Sequence, residues 1–155
     1  MKRGARRLRA LVRRCCFWIT VLTLAACTTF EVTPFLKEQI TGDTWRACLA
    51  REYQSQARFQ LRYGRHWQEA TYLADLGQKS LDSTEAHHTN TSLVLDPKYR
   101  ELTAALKSQG KTCTCAQAQA RLDGWSVALA QDPDRDQSAF ATSFDAAMVE
   151  CVNQH

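Results

Sequence analysis

The chain has 155 residues, with 20 Lys and Arg against 16 Asp and Glu and a formal charge of +4. Seven of the cations (Lys2, Arg3, Arg6, Arg7, Arg9, Arg13 and Arg14) crowd the start of the chain with no acid among them. Without that leader thirteen cations face sixteen acids, a net charge of −3. This removes the case for a nucleic-acid partner, which would want a basic face on the folded part.

Residues 15–26 follow the leader as a run of 12 mostly apolar positions. A basic leader, a short apolar run and small closing residues form the pattern of a secretory signal. The run is too short to span a bilayer, which takes about 20 apolar residues. Arg13-Arg14 lacks the surroundings of a twin-arginine signal, so the general secretory route is expected. The run closes on Leu24-Ala25-Ala26-Cys27, which resembles the lipobox of bacterial lipoproteins. The resemblance implies that residues 1–26 are removed, that the Cys27 thiol takes a diacylglycerol and that the new amino group is acylated. Small Ala25 and Ala26 suit it by leaving the scissile bond open to the protease. Thr28 stands where an Asp would favour the inner membrane, so the resemblance implies an outer-membrane anchor on the periplasmic side. Three acyl chains, at ~0.8 kcal/mol per buried CH₂, make such an anchor nearly permanent. The competing readings are an ordinary signal peptide with a chance Cys27 and an uncleaved anchor. The division is a leader over 1–26, a lipidated tether over 27–40 and one domain over 41–155, with about 129 residues left to build a core.

Residues 28–39, with Pro34 and no periodicity, read as an extended tether. Thr41-Gly42-Asp43 offers a helix cap. Residues 44–81 read as one helix of about 57 Å. Trp45, Cys48, Leu49, Phe59, Tyr63, Trp67, Ala70, Leu73, Ala74, Gly77 and Leu81 fall on an apolar stripe about 120° wide. Arg46, Arg51, Arg58, Arg62, Arg65, Glu69, Asp75 and Lys79 face away from it. Glu52, Gln56 and His66 fall on the stripe, and His66 is expected to be partly buried on a backbone partner. Gly64 marks where the helix would bend or break.

Residues 83–96 form a polar connection holding His87 and His88. Asp96-Pro97 then caps and opens a second helix. Tyr99, Leu102 and Leu106 share one face of it, and Gly110 closes it. Residues 114–130 read as a third helix with Cys115, Ala118, Leu122, Trp125 and Leu129 on one stripe. Asp132-Pro133-Asp134 stops it. A fourth, 137–152, carries Phe140, Phe144, Ala147, Met148 and Cys151, and the short loop at 131–136 predicts an antiparallel hairpin with the third. With no sustained alternation, the expected fold is all-α: a long amphipathic helix packed with a short helix and a C-terminal helical hairpin.

Cys15 and Cys16 leave with the leader and Cys27 carries lipid, so Cys48, Cys113, Cys115 and Cys151 remain. Four Cys in an exported domain predict disulfides. Cys113 with Cys115 would close a strained ring. A hairpin of helices three and four brings Cys115 beside Cys151 and leaves Cys48 for Cys113. The swapped choice, Cys113 with Cys151, differs by two residues and stays open. Cys113-x-Cys115 and His87-His88 are metal-ligand types, but they lack the C-x₂-C spacing of common zinc sites.

The chain has no nucleophile elbow, phosphate loop or zinc-protease helix. His66, His87, His88 and His155 stand in no motif that supplies an acid or a Ser. No catalytic residue, metal ligand or cofactor is assigned, and the protein is expected not to be an enzyme. Three segments, Cys48-Leu-Ala-Arg-Glu-Tyr53, Trp67-Gln-Glu-Ala-Thr-Tyr-Leu-Ala74 and Ala118-Gln-Ala-Arg-Leu-Asp-Gly-Trp125, resemble the helical region before the peptidoglycan-binding domain of some OmpA-type lipoproteins. No residues match that domain's wall-binding motif, so the resemblance does not imply direct wall binding. Gly124 stands where the family carries a Cys, so the family's disulfide pattern does not transfer. Together these readings predict an outer-membrane-anchored periplasmic lipoprotein. It would act as a structural or protein-interaction module with an envelope protein partner. The alternatives are a small-ligand or metal-binding lipoprotein and, behind them, an envelope enzyme.

Overall fold

A computed structural model of the chain describes residues 34–64, 66–82 and 93–153. The leader, Cys27 and the connection with His87 and His88 lie outside the described residues. Among the described residues there is no strand, and the fold is all-α.

Helix α1 spans Trp45–Phe59. Its cap is Thr44 and not the Thr41–Asp43 group, because the Thr44 hydroxyl accepts from the Ala47 amide at 3.3 Å. The long helix expected over 44–81 does not form. A π-helical turn, Gln60–Gly64, ends α1, and α2 runs from Trp67 to Asp82. The two helices fold back on each other as an antiparallel hairpin. A single 57 Å rod would carry much of its stripe past any partner. Folding it in two buries Leu49 and Tyr53 on one arm and Leu73 and Leu76 on the other. Small buried residues (Ala50, Ala57, Ala70, Ala74) let the backbones approach. Gly64 makes the turn possible: a side-chain carbon there would strike the Gln60 amide oxygen and come within 2.8 Å of the His66 ring. The price is that the stripe is cut at the turn, so Phe59, Tyr63 and Trp67, expected in the core, are exposed.

The folded unit begins at Phe35, earlier than residue 41. Residues 34–37 form a helical turn in place of the expected extended strip. The cause is Phe35, whose buried ring seats on Gly77 of α2. The side-chain amide of Gln54 holds the turn by donating to the carbonyls of Phe35 (2.6 Å) and Glu38 (3.0 Å), and the Arg58 guanidinium Nε donates to that of Leu36 (2.9 Å).

Helix α3 spans Asp96–Gln109 and starts one residue earlier than expected, with Leu95 and not Asp96 at the cap position and Asp96 and Pro97 in the first turn. It ends at Gly110, whose φ of 80° is backbone that glycine adopts without steric cost. Helix α4 spans Cys113–Gln131, capped by Thr112 accepting from the Cys115 amide at 3.3 Å. Helix α5 spans Ser138–Val152. Cys115, Ala118, Leu122 and Trp125 meet Tyr99 and Leu102 of α3 and Phe144, Met148 and Cys151 of α5 in one core. The expected stripe on α4 is only half of its buried surface. Ala116, Gln119, Ala120 and Asp123 are also buried, because α4 is central and packs on α1 and α2 as well.

Two disulfides close the unit. Cys48–Cys113 ties the start of α1 to the start of α4, with Cα atoms 5.2 Å apart. Cys115–Cys151 ties the start of α4 to the end of α5 at 4.5 Å. These are the expected pairings, and the swapped choice does not form.

Candidate interaction surface

The hairpin tip is built by the π-turn. Five residues, Gln60–Gly64, carry the chain off α1, and the His66 amide donates back to the Gln60 carbonyl at 3.3 Å. This turns Phe59, Leu61, Tyr63 and Trp67 outward at 58, 44, 67 and 50% exposure. Single exposed apolar residues are ordinary, whereas four within nine positions form a dense group. Phe59 and Tyr63 touch, with ring centroids 5.3 Å apart, and the Arg62 guanidinium lies 5.9 Å over the Tyr63 ring.

Beside the tip, an open cleft of about 600 Å³ runs between α1, α4 and the start of α5. Phe59 and Phe140 form its apolar walls, and Arg121 and Arg135 line it. Both guanidinium groups are held by carboxylates: Arg135 by Glu69 at 2.9 Å, and Arg121 by Glu52 at 3.5 Å. Arg135 also lies 5.2 Å over the Phe140 ring. At the rim, the Ser138 amide donates to Asp136 at 2.9 Å. That bond, with the Ser138 hydroxyl behind it, holds the Asp136 carboxyl below its usual range, so it stays ionised.

Two expectations fail at this surface. Glu69 does not face solvent. It is 2% exposed, because the fold-back swings α2 under the loop that carries Arg135. His66 is not buried: its side chain is 44% exposed, 3.6 Å from Glu69. Of the predicted outward cations, Arg51 and Arg58 are tied to backbone carbonyls of the N-terminal segment, at Gly42 and Leu36. The structure of Arg65 lies outside the described residues.

Under the cleft lies a polar knot that the sequence reading missed. Asp123 is fully buried and accepts from the Tyr53 hydroxyl, from the Tyr99 hydroxyl at 2.8 Å and from the Gln119 amide at 2.7 Å. It joins α1, α3 and α4. Its signal is local: an acid beside Leu122 on a helix with no exposed face. Burial first, and then the Asp123 charge, raise the Tyr53 hydroxyl well above its ordinary range, so it remains a donor. Tyr53, Tyr99 and Gln119 are themselves buried.

Among the described residues no three His, Cys, Asp or Glu side chains converge as metal ligands, and no helix is long and apolar enough to cross a membrane. No protein-family model, characterised protein or solved structure matches the chain.

Proposed function

We propose that the protein is a lipid-anchored, non-enzymatic interaction module of the bacterial envelope, held to the outer membrane on its periplasmic side through Cys27. The observation that carries the interaction role is the Phe59–Phe140 cleft with its two clamped arginines. Aromatic side chains and Arg are the residues most enriched in the energetic centres of protein interfaces. Here the guanidinium groups are already oriented by carboxylates, so little conformational entropy remains to be lost on docking. The partner is an envelope protein that inserts an apolar side chain between the two rings. The volume also falls within the range of small-ligand sites, which supports the second reading, a small-ligand lipoprotein.

A photocrosslinking residue at Ala139, which is exposed and lines the cleft, tests the first reading in the intact envelope. One discrete protein adduct is expected, and it should vanish when Phe59→Ser is added. No adduct, or one indifferent to Phe59, ends the protein-docking reading. The anchor is tested separately: Cys27→Ala should abolish labelling by a fatty-acid analogue and leave unprocessed precursor. Equal labelling of the variant rules the anchor out.

A further inference from the structure

We propose that the hairpin tip lies on an anionic phospholipid surface, with Leu61, Tyr63 and Trp67 in the headgroup layer and Arg62 on the phosphates. The inference rests on the anchor reading above and adds a second, non-covalent contact to it.

Three observations converge. The first is composition. Residues 53–68 contain three arginines, a histidine and no acid, in a chain whose balance beyond residue 26 is −3. The flanking acids are occupied, Glu52 by Arg121 and Glu69 by Arg135. The tip is therefore a cationic end on an acidic body, which complements an anionic sheet. The second is side-chain type. Trp and Tyr with Arg beside them are the residues that settle at a membrane–water interface, rings among the headgroups and charges on the phosphates. Anionic lipid attracts each basic residue near the surface by ~1 kcal/mol.

The third is where the chain enters. The N-terminal segment joins the folded unit on the hairpin itself, with the Phe35 ring on Gly77 and the Leu36 carbonyl bonded to Arg58, the residue before Phe59. Eight residues lie between Cys27 and Leu36, a reach of at most ~30 Å when fully extended. A lipid on Cys27 thus keeps the hairpin within that reach of the bilayer. The exposed rings and cations stand on that hairpin, and a tip resting on lipid would present the cleft beside it in a fixed orientation to a partner.

The test is amide hydrogen exchange on the full protein, purified from envelopes and reconstituted into vesicles of phosphatidylcholine alone or with one-third phosphatidylglycerol. Residues 58–67 should exchange about tenfold more slowly in the anionic vesicles, with α4 unchanged. Arg62→Glu with Trp67→Ser, two exposed positions, should erase the difference while α4 stays protected, which shows that the variant is folded. Equal exchange in both vesicles overturns the proposal, as does anionic protection that survives the variant. Protection seen only in native envelopes, and not in protein-free anionic vesicles, overturns it in favour of a protein covering the tip. The mass of the peptide beginning at Cys27 reports the anchor independently. A lipidated peptide with no protection leaves the anchor standing and removes the tip contact. Protection on added anionic vesicles without lipidation does the reverse.

Discussion

The ring of Phe35 lies against the bare backbone of Gly77, with its Cε1 2.7 Å from where a side-chain carbon would begin. A glycine inside a helix costs roughly 0.5–1 kcal/mol relative to alanine. Here the space it leaves is filled by the residue that fastens the N-terminal segment to α2. Gly77→Ala is expected to expel the ring, losing ~1–3 kcal/mol to overpacking despite the better helix propensity. Phe35→Ala should cost ~3–5 kcal/mol. The double variant should be no less stable than Phe35→Ala alone, since the clash is gone. Urea unfolding of the three variants checks this, and simple addition of the two losses would contradict the contact.

Glu69 and Arg135 form a pair that is buried on one side only, at 2 and 26% exposure. Arg135→Ala leaves a buried carboxylate beside the half-exposed His66. The expected loss is about 2–3 kcal/mol, below the ~3–5 of a fully buried pair because water reaches the Arg135 side. Lys79→Ala, which breaks the exposed pair with Asp75, should cost no more than ~1 kcal/mol. Equal losses in thermal or urea unfolding would show that Glu69 finds water after all.

Trp67 separates what the sequence made legible from what it did not. On a continuous 44–81 helix it sits squarely in the apolar stripe. The structure leaves it half exposed, because helical periodicity assigns faces within one rod and says nothing about where the rod folds. Trp67→Ala is accordingly expected to cost less than about 1 kcal/mol of stability, the range of surface substitutions. A loss of 3 kcal/mol or more would restore the single-helix reading.

The helix boundaries at Gly110 and Asp132 and the α4–α5 hairpin were readable, because local caps, breakers and a short loop fix them. The hairpin favoured Cys115 for Cys151 but left Cys113 open, a choice between neighbours two residues apart that only the packed fold decides. Gly64 was visible as a weak point, but the fold-back depends on long-range packing of Leu49 and Tyr53 that no local signal encodes. The cleft was invisible for the same reason. Phe59 and Phe140 each read as core on their own helices. Only the packing of α1, α4 and α5 places both at one opening, lined also by Arg121 and Arg135.

The two disulfides close loops with sequence separations of 65 and 36 residues. On the chain-entropy account each restrains the unfolded chain by ~4 kcal/mol, with only a few tenths separating the longer loop from the shorter. Cys48→Ala with Cys113→Ala and Cys115→Ala with Cys151→Ala should therefore lose similar amounts from the loop term. The second pair should lose more in total, since Cys115 and Cys151 are fully buried in the core and Cys113 is not. Non-reducing peptide mapping checks the connectivity, and free thiols at all four of Cys48, Cys113, Cys115 and Cys151 in the purified protein would contradict both bridges.

The Tyr53–Asp123 contact gives the fold a definite alkaline limit. Burial and the neighbouring carboxylate raise the Tyr53 hydroxyl well above its ordinary range, so the folded chain keeps a proton that the unfolded chain releases near pH 10. The stabilisation is fully present below that pH and falls as pH rises toward the folded-state value, by about 1.4 kcal/mol per unit. Tyr53→Phe removes this proton linkage and one donor to a buried carboxylate that still accepts from Tyr99 and Gln119. The variant should be less stable by ~1–3 kcal/mol at pH 7, yet lose stability less steeply above pH 10. Urea unfolding at pH 7, 9.5 and 10.5, with free thiols blocked, measures both. Parallel decline of variant and parent above pH 10 would show that Tyr53 ionises in the folded state as it does in water.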